Sequence, residues 1–206
     1  MTLKTLYIVR HGQTDLNKQG IVQGRGMDTN LNDDGRIQAN MFYNAYKSIP
    51  FDKIYISELK RTQQSIQQFI DAGLPYEKLS GLDELAWGIH EGQRSTPETK
   101  ASFMKLMRDW TSGKLDSKFE NGESPNEVLQ RQKEALETIM SHPDEKNVLI
   151  CMHGRAMRLF LCLLTNKPLT QMEAFPHQNL VLYKVTYDGN RFEIADFNNA
   201  IHLQVH

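Results

Sequence analysis

Three places in the chain set cations or imidazoles at the point where an apolar run stops. The run at 5–9 (TLYIV) leads into Arg10-His11-Gly12-Gln13-Thr14. The run at 147–152 (NVLICM) leads into His153-Gly154-Arg155, and the short run at 53–56 (KIYI) into Ser57-Glu58-Leu59-Lys60-Arg61-Thr62. An imidazole serves as nucleophile, base or donor near neutral pH, and a guanidinium offers a planar fork to phosphate oxygens. A glycine after each histidine lets the backbone turn sharply and approach a ligand closely. Taken singly, each residue is more often structural than chemical. Their coincidence is what points to a site: in open α/β sheets ligands bind at the carboxyl ends of strands. If the three strands are neighbours, Arg10, His11, Arg61 and His153 meet at one edge as a site for a dianion.

The elements that must position these residues follow from hydrophobic spacing. Strands are expected at 5–9, 53–56, 147–152, 180–186 and 191–197, with Asp188-Gly189-Asn190 as a hairpin turn between the last two. The continuous apolar run at 147–152 reads as a fully buried, parallel central strand. A helix is expected over 32–49, with Asn32 as N-cap and Ile37, Met41, Ala45 and Ile49 recurring every four residues before Pro50. A second helix is expected over 57–71, with Gly73 as its stop. Thr96-Pro97 opens a third, running through Trp110, and Ser124-Pro125-Asn126-Glu127 is a capping box opening a fourth. A fifth, with Leu159, Phe160, Leu163 and Leu164 apolar, follows His153. The sum is an α/β fold with a mostly parallel sheet and an antiparallel edge. Residues 81–122 form a helical insertion, and residues 1–206 one domain.

Composition removes several alternatives. The chain has 206 residues, 24 Lys and Arg against 25 Asp and Glu, and a formal net charge of −1. That balance weighs against a nucleic-acid partner. Cys151 and Cys162 lie in apolar segments and read as core residues. No leader is visible at the N-terminus, and the longest apolar run, 159–164, is too short to span a bilayer. A cytoplasmic protein with no membrane partner is expected. No Gly-Lys-Ser/Thr phosphate loop occurs. The glycines at 20–26 (GIVQGRG) follow no clear strand, and no Gly-x-Ser-x-Gly elbow is present. His90-Glu91 begins like a zinc-protease motif, but Arg94 stands where the second histidine belongs. No metal and no cofactor are expected.

Arg10-His11-Gly12 with Gln13, Thr14 and Asn17 resembles the signature of the histidine phosphatase superfamily, the phosphoglycerate mutase-like group. The resemblance extends in order through Gln23-Gly24 with Asp28, LNDDGRIQA at 31–39, SELKRT at 57–62, LDELAWGIHEG at 82–92, Gly122-Glu123-Ser124 and His153-Gly154. It implies a three-layer α/β/α sandwich with residues 81–122 as a cap. It implies metal-free chemistry through a phosphohistidine on His11, with Arg10, Arg61 and His153 binding the phosphoryl group. Glu84 would be the general acid and then the base, a role less suited to Glu91. Asn17, Gln23 and Gly24 match substrate-binding positions. A nucleophilic imidazole must be neutral; neighbouring arginines disfavour the imidazolium, and a backbone carbonyl can fix the tautomer. Leu16 and Asn32 depart from the tryptophan and threonine common in the family, and neither position is chemical.

The expected reaction is hydrolysis of a small phosphorylated metabolite. The chain ends soon after the last strand, without the long closing tail of the mutases it resembles. Phosphoglycerate mutase, α-ribazole-phosphate phosphatase and a non-catalytic phospho-ligand binder are the alternatives. In the insertion, Arg94, Lys100, Lys105 and Arg108 could read a second anionic group or form a solvated face. Phe103, Met104, Met107 and Trp110 could line a pocket or anchor the helix. Arg155 could line the pocket and favour an acidic substrate, or face solvent. Oligomeric state is not readable from the sequence.

Overall fold

Two adjacent parallel strands with buried, mostly apolar interiors form the centre of the sheet. They are β1 (Lys4–Arg10) and β4 (Asn147–Met152), in register from Thr5 opposite Asn147 to Arg10 opposite Met152. These belong to a computed structural model that describes residues 3–204. The readings made at Met1 and at the chain end, His206, lie outside the described residues.

In chain order, β1 is followed by a short helix α1 (Asp15–Lys18), α2 (Asp33–Tyr46), β2 (Lys53–Ile56), α3 (Lys60–Ser65), α4 (Gln67–Asp71) and β3 (Tyr76–Lys78). Two single 3₁₀ turns then lead to α5 (Pro97–Thr111), α6 (Pro125–Met140), β4, α7 (Gly154–Leu164), β5 (Leu182–Tyr187) and β6 (Phe192–Asn199). The six-stranded sheet runs β3-β2-β4-β1-β5-β6, with β3, β2, β4 and β1 parallel. The β5–β6 hairpin adds on antiparallel beside β1. This is the mostly parallel α/β sheet with an antiparallel edge that the element pattern predicts.

Alternation along the strands sorts the side chains into two cores. Tyr7, Val9, Ile54, Ile56, Leu149 and Cys151 pack on one face with Phe42 of α2, Ile66 between α3 and α4, and Phe69 of α4. Leu6, Ile8, Tyr55, Val148 and Ile150 pack on the other with α6 and α7, and with Leu106 and Trp110 of α5. Cys151 and Cys162 are both free and buried. No described helix is long and apolar enough to cross a membrane.

Caps set several helix starts where the sequence places them. Asn32 accepts from the Gly35 N–H at 2.9 Å, and Thr96 and Ser124 form reciprocal capping boxes ahead of Pro97 and Pro125. Three readings differ, and one strand was not foreseen. On α2 the buried residue is Phe42, packed on Tyr46 and Phe69, whereas Ile37 is 55% exposed; the four-residue apolar recurrence is not the core face. The helix expected over 57–71 starts at Lys60 and breaks at Ile66 (φ −123°, ψ 16°). The Ser65 hydroxyl donates to the Arg61 carbonyl one turn back, a bond that bends helices. β3 is a three-residue, partly exposed edge strand with no apolar run to announce it. Leu180 has φ +53° and precedes β5 instead of starting it; its N–H caps the end of β1 by donating to the Arg10 carbonyl.

The loop after β1 sits backbone to backbone on the first turn of α2. A Cβ at Gly35 would lie 2.1 Å from the Gln13 carbonyl oxygen, and one at Gly12 would lie 2.8 Å from the Gly35 carbonyl oxygen. Gly35→Ala must therefore push the loop bearing His11 off the helix. Overpacking of this kind costs about 1–3 kcal/mol, or a fall in Tm of roughly 2–4 °C per kcal/mol for a chain of this size. Thermal unfolding followed by circular dichroism checks it; an unchanged Tm would mean that the loop is not seated on α2 as described.

Candidate active site

The His11 N–H donates to the Met152 carbonyl at 3.0 Å, so the two central strands stay paired up to the residues where they release their histidines. The His11 and His153 rings end with their centroids 5.1 Å apart. Both are buried, at 3% and 0% exposure.

Each imidazole has a defined tautomer. His11 Nδ1 lies 2.7 Å from the Gly12 carbonyl oxygen, which can only accept. Nδ1 therefore carries the proton, and Nε2 of the neutral ring keeps its lone pair. His153 Nδ1 accepts from Arg61 Nε at 3.2 Å, so its proton sits on Nε2, directed at the Ser57 hydroxyl at 2.8 Å. Burial, then the positive charges of Arg61 and Arg10, hold His11 well below the ordinary histidine range. Burial, followed by Arg61, does the same to His153. Arg10 is pulled down to about 10 by burial and remains a cation at neutral pH.

Arg61 is fully buried in the first turn of α3. Beyond His153, its guanidinium donates to the Met27 carbonyl at 2.5 Å and the Gly24 carbonyl at 3.3 Å. Arg10 donates to His177 Nδ1 at 3.2 Å, and its Nε is buried without a partner among the described residues. A buried N–H donor without an acceptor is a marker for an anion site.

Glu84 approaches from the turn after β3. Its Oε1 accepts from the Leu85 and Ala156 N–H groups, both at 2.9 Å, and its Oε2 from the Arg155 N–H at 3.2 Å. The carboxyl group is therefore seated on the first turn of α7, where helix N–H groups lack internal partners. Arg131 of α6 fixes the approach, donating to the carbonyls of Gly81, Asp83 and Glu84 within 3.1 Å and pairing with Glu123. Glu91 is elsewhere. It accepts from the Trp87 N–H at 2.9 Å and packs where a Cβ on Gly24 would stand. Of Asp83, Glu84 and Glu91 in that segment, Glu84 is the one that lines the cavity with His11.

That cavity has a volume of about 410 Å³. Arg10, His11, Asn17, Gln23 and Glu84 line it; Arg61 and His153 lie buried behind it, and Gly24 serves through its carbonyl grip on Arg61. Gln23 is committed to the framework, donating to Thr14 Oγ1 at 2.6 Å and accepting from Thr29 at 2.5 Å. Asn17 closes the capping box of α1 with Thr14. Ile21, Val22, Trp87, Phe103 and Met107 form an apolar wall, and Arg155 and His177 a polar one. A second, largely apolar cavity of about 340 Å³ shares Val22 and Phe103 with the first and has Arg94 and Lys100 at its edge. Trp110 is an anchor, 1% exposed, whereas Met104, Lys105 and Arg108 are exposed.

Four contributors were not assigned roles from the sequence. Ser57 orients His153, and Ser65 accepts from the Gly12 N–H at 2.8 Å. Asn179 Nδ2 donates to the His11 carbonyl at 2.9 Å, and His177 backs Arg10. Their residue types are ordinary for loops and helix starts, and His177 and Asn179 lie in a stretch with no periodicity. Among the described residues no group of three or more His, Cys, Asp or Glu could hold a metal ion.

Known proteins share this architecture. The chain is 27% identical to phosphoserine phosphatase 1 of Hydrogenobacter thermophilus over 199 residues, covering 96% of this chain and 93% of that one. It is 28% identical to a broad-specificity phosphatase of Saccharomyces cerevisiae over 210 residues, 96% and 86% of the two chains. The fold superposes on the phosphoserine phosphatase of Entamoeba histolytica, solved in complex with 3-phosphoglyceric acid, with a TM-score of 0.84 at 23% identity, covering 98% and 100%. The family pattern described as histidine phosphatase superfamily (branch 1) matches residues 6–200, and with its two strand-end histidines side by side the chain belongs to that superfamily.

Proposed function

We propose that the protein is a metal-independent phosphatase that hydrolyses a small phosphomonoester through a phosphohistidine on His11. The observation that carries this reading is the neutral imidazole of His11, held by Gly12 with its Nε2 lone pair available, between two buried guanidiniums. A carbonyl-fixed tautomer beside permanent cations is what a nucleophilic histidine needs. The phosphatase names among its relatives point the same way.

In this reading His11 Nε2 forms a bond to phosphorus as the bond to the leaving oxygen breaks. Glu84 gives that oxygen a proton. Its Oε2, with a single contact of 3.2 Å, is the oxygen with room to carry one. Water then attacks the phosphohistidine, Glu84 takes its proton, and inorganic phosphate leaves with His11 restored. Arg10 meets the charge on the equatorial oxygens from the cavity wall, and Arg61 adds its fixed positive field from behind it, the preorganised condition under which such groups lower a barrier. A phosphate dianion also offsets the positive field that keeps His153 neutral.

Turnover of p-nitrophenyl phosphate should persist in EDTA, and His11→Asn should lower kcat by about a thousandfold or more. Rapid quenching with labelled substrate should trap an acid-labile, base-stable phosphoenzyme in the wild type alone. Complete loss in EDTA restored by a divalent metal, or undiminished labelling of the variant, would remove His11 as nucleophile. A screen of phosphomonoesters should include 3-phosphoglycerate with a bisphosphoglycerate primer, where isomerisation without phosphate release would mark a mutase instead.

The neutral pair also predicts a pH dependence. Histidines in the unfolded chain titrate near 6.5, while folded His11 and His153 titrate well below that. Between those values the unfolded chain binds more protons. Stability is therefore full above about pH 6.5 and falls as pH drops below it, by at most about 1.4 kcal/mol per pH unit for each histidine. Urea unfolding at pH 7.5, 6.5 and 5.5 should show this decline, and His11→Asn should make it shallower, leaving the share of His153 and His177. An identical slope in the variant would contradict a buried neutral His11.

A further inference from the structure

Arg155 is the residue in the cavity wall whose chemistry the hydrolysis of a simple phosphomonoester does not use. Its backbone N–H serves Glu84, but its side chain turns to the opposite problem. The guanidinium carbon lies 5.7 Å from the ring centre of Trp110 and 6.0 Å from that of Trp87, and the two indoles are themselves stacked at 5.9 Å. Such a platform favours a cation and fixes the plane of the fork. One corner of the fork, Nη1, is held by Glu173. Among the described residues the guanidinium donates no other hydrogen bond, although the side chain is only 15% exposed.

Charge near Arg155 is not balanced. Glu173 is shared, one carboxylate oxygen taking Arg155 and the other Arg158. With Glu84 set against Arg10 in the cavity, two guanidiniums sharing one carboxylate leave one positive charge beside it. Partly buried donors without acceptors are costly to leave unfilled, and a planar fork with four of its five N–H donors open matches a carboxylate.

We propose that Arg155 is a specificity-determining residue that binds a carboxylate on the leaving group, so that the preferred substrates are phosphomonoesters of hydroxy acids. This rests on the phosphatase reading for the site and goes further by naming the substrate class. Glu173 and the two tryptophans are positioning residues that hold the fork in place. His11, Arg10 and Arg61 take the phosphoryl end, and Arg155 takes the far end of the same molecule.

The test compares 3-phosphoglycerate with glycerol 3-phosphate, which differ by a carboxylate in place of a hydroxymethyl group. The wild-type enzyme should favour 3-phosphoglycerate in kcat/KM by about tenfold or more. Arg155→Met, which keeps an apolar stem against the tryptophans, should reduce that ratio at least tenfold, chiefly through KM. Arg155→Lys should restore part of it. No wild-type preference, or an equal fall on both substrates in Arg155→Met, overturns the proposal. Failure of the wild type to turn over these substrates and p-nitrophenyl phosphate alike is a failure of the phosphatase reading instead. Calorimetric binding of the same pair to the wild type and to Arg155→Met then decides the role of Arg155: a carboxylate preference lost in the variant upholds it, and its absence overturns it.

Discussion

Two guanidiniums and two imidazoles buried together at the end of a β-sheet cannot all be charged. Guanidinium holds its proton under almost any condition, so the imidazoles yield. Arg10 and Arg61 stay positive, and His11 and His153 are driven neutral by burial and by those same arginines. In the proposed reading, the result is a nucleophile kept unprotonated by the groups that would bind its target. In that reading, removing either arginine weakens the field that keeps His11 neutral together with the hold on a phosphoryl group. Binding and activation are thus one electrostatic arrangement.

Such an arrangement survives only if the cations cannot relax away from one another. Arg61 is prevented by the carbonyls of Gly24 and Met27, which take the donors that face away from His153. The 20–30 loop is in turn closed on itself by Gln23, Thr14 and Thr29. Ser65 holds the Gly12 N–H, and Asn179 holds the His11 carbonyl. Polar side chains with no part in the chemistry thereby keep fixed dipoles pointed at the centre, so that no reorganisation is needed when charge develops. The backbone-to-backbone seat of Gly12 on Gly35 explains why α2, which contributes nothing to the cavity, is still part of the site's support.

The strand ends were legible because an apolar run that stops at a charged residue is a local signal. Arg10, His11, Arg61 and His153 each follow such a run, and the parallel β1–β4 pairing brings both histidines together. Helix starts at Asn32, Thr96 and Ser124 were legible because capping is decided within four residues. What escaped detection depends on the tertiary fold. Ile37 shares a helical stripe with Met41 and Ala45, yet the aromatic cluster around Phe42 decides which face of α2 turns inward. Ser57 and Ser65 read as helix residues, but one is taken by His153 and the other by Gly12, so α3 starts late and bends early. His177 and Asn179 matter only because their loop passes the end of β1, which no local pattern encodes.

A near-neutral chain can hide a site of this kind, because the cations are few and placed. The arrangement at the start of α7 shows how tightly they are placed. One turn of helix supplies the Arg155 and Ala156 N–H groups that seat Glu84, and the same Arg155 extends its guanidinium over Trp87 and Trp110. The residue before that turn is His153. In the proposed reading, phosphoryl binding, proton transfer and the second cationic contact share four consecutive residues of backbone, 153–156. A substrate that pulled on the Arg155 side chain would act on the same peptide units that position the Glu84 carboxyl. In the proposed reading, the far end of the substrate and the proton on its leaving oxygen are thus coupled through one helix start.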